Sequence, residues 1–434
     1  MTEFRTYFGA RITESLLWDA LDTYFREGGS TAYVQRVAGP AAALAGITLN
    51  DADGDPSLRV DAKNAGAWWN GVTVAVTAGA AVGEFALVIA NPEFGVERSP
   101  SLASVTDAIN WSNSSSWAAV SLPTGASGAD PAVVAAANMT GGADDYAAVD
   151  DVTRGTALAR FTRGLGPGQV WIPGATSTNT RGALRTHAKE HNRIALLDDT
   201  DTSSATAAGT EAQSLQGDEY AALFGPWHVV PGLLGGTTRQ VPPTAMAAAL
   251  MARNDQTRSA NNAAAGVSGR ARYVVGLTQS GWSDAEREAL NTNGLNVFRE
   301  LPAGVTLYGY RTLAKPGTDA YAWSFLANQR LRMAITAEAE TVAETFLFRQ
   351  VDGRGQLLAE FGSALSGVLL RYYNEGALFG ETPDEAYLVN VGEQVNTPTT
   401  IANGELHAVL SLRMSPTAEL VVIEIVKTSA DIAL

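Results

Sequence analysis

From about residue 146 to residue 320 the apolar residues switch back and forth between two periods, and this alternation limits the fold more than any other feature. Helical spacing occurs over Ala148–Thr162, Arg181–Asn192 and the Pro-started, Ala-rich run Pro243–Asn254, and Ser283-Asp-Ala-Glu286 is a capping box that opens a further helix. Strand-length apolar runs fall between them: QVWIP (169–173), RIALLD (193–198), WHVVP (227–231), RYVVGL (272–277) and VTLYGYRTL (305–313). Such alternation predicts a mostly parallel sheet with helices on both faces. The Ser/Thr/Ala-rich stretch 200–217 reads as a surface loop.

The flanking segments have other textures. Leu16, Leu17, Ala20, Leu21, Tyr24 and Phe25 share one helical face that ends at Gly28-Gly29, and a strand is expected over Thr31–Val37. Residues 56–140 carry short strands separated by Gly, Asn, Pro and Ser, with Val72, Val74 and Val76 alternating as a half-buried strand requires. Two long helical patterns follow residue 320 (about 323–350 and 357–374), then strands at 386–391, 405–414 and 418–428. The fold class is therefore mixed α/β and multi-domain. Residues 1–50 begin an α/β core that resumes over 146–320, 56–145 form an inserted β-rich domain, and 321–434 form an α+β C-terminal domain.

Composition narrows the function. The 434 residues include 45 acidic and 30 basic side chains, a net charge of −15, which argues against nucleic acid as a partner. With no cysteine, a disulfide scaffold, a thiolate metal site and a cysteine nucleophile are all excluded. Charged residues make up 17% of the chain, below the roughly 25% usual for soluble domains, which suits a surface covered by neighbours. No apolar run reaches the roughly 18 residues needed to span a bilayer, and the N-terminus lacks the apolar stretch of a signal peptide.

Three motifs suggest chemistry. His187-Ala-Lys-Glu190-His191 has the inverted zinc-peptidase spacing, two imidazoles one turn apart with a Glu as general base. It lacks a recognisable third ligand, so an exposed amphipathic helix is the plainer reading. Asp51, Asp53 and Asp55 have the 1-3-5 spacing of a calcium loop, but glycine falls at the fourth position and Ala62 at the twelfth, which leaves a polar turn. Gly164-Leu-Gly166-Pro-Gly168 is followed by a strand instead of the helix N-terminus that anion binding requires. No catalytic residue, cofactor site or metal site is assigned, and the chain is read as a non-enzyme.

Four segments, in order, resemble the contractile tail sheath proteins of phages and related injection machines: FREGGSTAYVQRV (25–37), LRVDAKNAGAWWNGVTVAV (58–76), LNTNGLNVFRELPAGVTLYGYRTL (290–313), and GALFGETPDEAYLVNV with Asn396-Thr397 and ANGELHAVLSLRMSPTAELVVIEIV (376–426). Trp69 stands where that family usually has a small residue, and the longer N-terminal arm of the family is absent before the first helix. The resemblance implies a structural subunit that polymerises as stacked hexameric rings around an inner tail tube and contracts to drive the tube through an envelope. Its partners would be further copies of itself, the tube protein, and baseplate and terminator proteins, with no nucleic acid and no membrane insertion. Its place would be a virion tail assembled in a host cytoplasm, or the sheath of a bacterial injection system or tailocin. It also implies that the terminal strand 418–428, with Leu420, Val421, Val422, Ile423, Glu424, Ile425 and Val426, is exchanged between subunits. The helix carrying Arg371 and Glu375 would face the tube, and the β-rich insert would point outward. The alternatives are a zinc hydrolase built on His187, Glu190 and His191, and a β-rich adhesin.

Overall fold

The computed structural model describes residues 1–417, which form two compact units. The first comprises Met1–Asp22 and Ala32–Arg160, the second Thr23–Thr31 and Phe161 onward. Helix α1 (Thr2–Phe8) belongs to the first unit, and α2 (Leu17–Glu27) begins in the first and ends in the second.

In the first unit, β1 (Gly46–Asn50), β2 (Pro56–Ala62), β3 (Thr73–Ala78), β4 (Phe85–Asn91), β5 (Gly95–Arg98), β6 (Ala118–Ser121) and β7 (Val134–Asn138) form two antiparallel sheets, β1-β2-β6 and β5-β4-β3-β7. Val72, Val74 and Val76 are buried as their alternation predicts, in a core shared with Leu58, Leu87, Ile89 and Trp69. Trp69 is fully enclosed, with its ring 4.2 Å from that of Trp68. Helix α3 (Val105–Ser112) is capped by the Ser104 hydroxyl. The expected helix over 148–162 is shorter, α4 (Asp151–Leu158), because the Asp150 carboxylate caps it through Thr153 and a second, 3-10 turn follows at Arg163–Leu165.

The second unit contains the predicted parallel sheet. Strands β8 (Gln169–Val170), β9 (Ile194–Asp198), β10 (Ala221–Gly225) and β14 (Leu295–Leu301) run parallel, and β15 (Gly304–Leu307) closes one edge antiparallel. Every residue of β9 and β10 is buried, as expected of strands covered on both faces. Helices α5 (Thr178–Glu190), α6 (Ala205–Ser214), α7 (Pro243–Thr257) and α8 (Asp284–Thr292) pack around this sheet, and the Ser283/Glu286 capping box is present. Strands β11 (His228–Pro231), β12 (Thr238–Val241) and β13 (Gly276–Leu277) make a separate antiparallel sheet. Helices α9 (Leu326–Glu344) and α10 (Gln356–Asn374) then pair, backed by the hairpin-like sheet of β16 (Tyr387–Asn390) and β17 (Val409–Leu412).

Three expectations fail for identifiable reasons. Thr31–Val37 forms no strand, since no described backbone pairs with it. RYVVGL is a strand only at Gly276–Leu277, because the amides of Arg272 and Tyr273 donate to the Glu27 carboxylate instead of to a neighbouring strand. Residues 200–217 are not a loop: Ser204 caps α6, and its small buried face of Ala208, Gly209 and Ala212 packs close to Leu290 and Asn293. QVWIP likewise contributes only Gln169 and Val170 to the sheet.

Candidate assembly surfaces

Residues of the resembling segments serve as cross-braces. Asn296, fully buried on β14, donates its amide to the carbonyls of Leu223 (3.0 Å) and Arg311 (2.8 Å) and accepts the Arg311 N–H at 2.6 Å. Gly309 is required there, since a Cβ would lie 2.6 Å from Asn291 Oδ1 and 3.0 Å from the Asn296 backbone. Asn396 does the same at the C-terminal sheet: it donates to Val391 (2.9 Å) and His407 (2.7 Å) carbonyls and accepts the His407 N–H at 2.8 Å. Buried asparagines with both amide atoms satisfied hold two chain segments in fixed register.

Arg371 and Glu375 lie on the exposed end of α10, 3.9 Å apart. The structure adds a partner that the sequence reading missed. Arg371 pairs with Glu338 of α9, and the Tyr372 hydroxyl donates to the same carboxylate at 2.8 Å. Burial works against the charged form of Glu338, but these two donors outweigh it and hold its carboxyl below the usual range. The Tyr372 phenol is pushed up by burial and by Glu338. Glu338 carries no local signal because its partners lie on another helix. The strand residues Leu420, Val421, Val422, Ile423, Glu424, Ile425 and Val426 lie outside the described residues.

The three chemical motifs have structural parts. His187 is buried, stacks on His191 at 4.2 Å, and its Nε2 accepts from the Arg193 guanidinium at 2.8 Å, the nitrogen a metal would need. Burial, with the charges of His191 and Arg193, pushes His187 down to about 4. Glu190 points into solvent. Arg193 also donates to the carbonyls of Phe161 (2.6 Å), Thr162 (2.6 Å) and Gly166 (3.1 Å). The glycine loop at 164–168 thus offers a carbonyl to a cation, the opposite of an anion cradle. Asp51 Oδ1 accepts the amides of Asp53 (3.0 Å) and Asp55 (2.9 Å) in a tight turn. Among the described residues, no cluster of three His, Cys, Asp or Glu is placed to hold a metal, and no helix is long and apolar enough to cross a membrane.

No family model and no curated protein matches the chain. Solved structures do. The sheath tail protein of Listeria innocua superposes with a TM-score of 0.61 at 13% identity, over 82% of this chain and 76% of that one. The sheath tail protein of Desulfitobacterium hafniense gives 0.59 at 15% identity, over 89% and 84%. The fold is that of the tail sheath proteins. A contracted helical sheath of the anti-feeding prophage has the same fold over a smaller share, with a TM-score of 0.51 at 20% identity over 64% of this chain and 75% of that one. These sheath structures fix the mixed α/β, multi-sheet architecture; the cross-braces at Asn296 and Asn396 are details of this chain's version of it.

Proposed function

We propose that the chain is a structural subunit of a contractile sheath, stacked in rings around an inner tube and shortening to drive that tube through a target envelope. The observation that carries this reading is the sheath fold extending over 82% and 89% of the chain in the two sheath tail proteins. Low charge supports it, because large subunit contacts then desolvate few ions. A surface that meets a different surface on the next copy generates rings or helices. No enzymatic step is needed: the extended sheath is a metastable packing, and many small contact gains per subunit release the work.

Within this reading the strand 418–428 is donated to a neighbour's sheet by β-augmentation, Arg371 and Glu375 meet tube charges, and the β-rich insert at 56–145 points outward. Baseplate and terminator proteins cap the two ends. The likeness to contracted sheaths of the anti-feeding prophage and of an extracellular contractile injection system supports an injection-system sheath as well as a phage tail. Neighbouring genes separate these, since capsid and terminase genes accompany a phage. The direct test is negative-stain microscopy of the purified protein at rising concentration. Rings, tubes or helices are expected, and a strict monomer at every concentration overturns the proposal.

A further inference from the structure

The turn between α9 and α10 presents an apolar knob. Leu347 is 62% exposed, and Phe348 is fully exposed with φ of +62°, a left-handed conformation that non-glycine residues rarely adopt. The residues on either side are pinned. Phe346 packs on the Phe361 ring at 5.1 Å, and Arg349 lies over Phe346 at 5.0 Å while pairing with Glu360 at 2.5 Å. Phe348 is therefore held out in water by ordered neighbours. Strained backbone and a bare aromatic ring in one place mark a contact site.

On the other side of α10 is an open groove of about 460 Å³ against β16, lined by Ala359, Gly362, Ser363, Ser366, Tyr387 and Val389 among others and by no charged residue. Its floor is tight, since a Cβ on Gly362 would lie 3.0 Å from Val391. The space is large enough for a phenylalanine ring with a leucine beside it. The groove's rim is acidic. Glu381, Asp384 and Glu385 are exposed, and Asp384 lies near enough to Tyr387 to reinforce the upward push that burial gives its phenol. The knob is flanked by Arg349 and exposed Arg354. Shape and charge are thus complementary between two different surfaces of the same chain.

We propose that the Leu347–Phe348 knob of one copy seats in the α10–β16 groove of a second copy, making a head-to-tail contact between subunits. Because knob and groove are distinct, each copy keeps one of each free after the contact forms, so the contact propagates as rings and helices require. The inference rests on the sheath reading and names one of its joints.

The cysteine-free chain allows a direct test. A variant carrying Leu347→Cys and Ser366→Cys keeps Phe348 and, oxidised after assembly, is expected to give a ladder of covalent oligomers on a denaturing gel. Either substitution alone is expected to give no species beyond a dimer. Polymer without a ladder, or a link confined within one chain by peptide mapping, overturns the contact but leaves the sheath reading standing. If the unmodified chain forms no polymer, the sheath reading fails, and a missing ladder at high concentration overturns the contact with it. As a second measurement, Phe348→Ser is expected to raise the critical concentration at least tenfold with the thermal unfolding midpoint unchanged or higher. An unchanged critical concentration overturns the proposal.

Discussion

Glu27 and Arg253, 226 positions apart, close a buried ion pair in which none of the glutamate side chain is exposed. The second carboxylate oxygen accepts the amides of Arg272 (2.7 Å) and Tyr273 (2.8 Å), so one side chain takes the place of a strand partner. Removing one member of a buried pair strands the other charge. Glu27→Ala should therefore cost about 3–5 kcal/mol in urea unfolding. Glu27→Gln, which retains one acceptor, should cost less.

Asp199 gives a pH dependence. Burial, reinforced by Asp201, Glu211 and Asp198, raises its carboxyl well above the ordinary carboxylate value. Neither oxygen meets a donor in good geometry among the described residues, with the Asp201 amide giving only partial relief. A raised native value means that this group's contribution is fully present below the unfolded value near 4 and is lost as pH rises through the native one. Asp199→Asn should thus gain stability over the parent protein as pH rises. Thermal unfolding at a series of pH values from acid to alkaline checks this, and equal slopes for the two proteins would contradict it.

Gly225 belongs to the same contact, because a Cβ there would stand 2.3 Å from Asp199 Oδ2. Gly225→Ala should cost about 1–3 kcal/mol through overpacking. Chemical denaturation gives the value directly.

His187 acts in the opposite sense on the acid side. Its native value near 4 lies below the usual 6.5, so its contribution is present above about 6.5 and is lost as pH falls through 4. His187→Gln should flatten the acid limb of the stability profile. The purified protein should carry no stoichiometric zinc with or without this change, and one tightly held zinc per chain, absent from the variant, would reverse the assignment. Arg193→Met, which leaves three carbonyls without their donor, should cost about 1–3 kcal/mol.

Ser415 anchors the chain before the proposed linking strand: its amide donates to Ala377 at 3.1 Å and its hydroxyl to Gly376 at 3.0 Å. Truncation after Ser415 should leave a folded subunit with a near-normal unfolding midpoint that no longer polymerises. Unfolding or precipitation of the truncated chain would instead make that strand part of its own domain's core.

Much of the architecture was legible because its signals are local. Period and caps marked α2, α5, α7, α8, α9 and α10, and β9 stood out as an unbroken apolar run. Strand β10, AALFG, escaped because its two alanines and terminal glycine carry little strand character and its burial comes from the layers around it. Helix α6 was hidden by a composition that suits loops equally well. The charged surface was half legible: Arg371 and Glu375 lie one turn apart on one helix, whereas Glu338 joins them only through packing. The Glu27 brace could not be read at all, because a carboxylate that replaces a strand leaves no pattern at either end.

Helix α7 is buried along Pro243–Met251, and Ala245, Ala247, Ala248 and Ala249 have no exposed surface. A rod this slender lets the layers around β9 and β10 close to backbone distance, leaving few long side chains to swing or bend. Such a core has low compressibility and behaves as a stiff block under load. Force applied at one face of the block reaches the opposite face with little loss, and displacement appears at the hinges outside it.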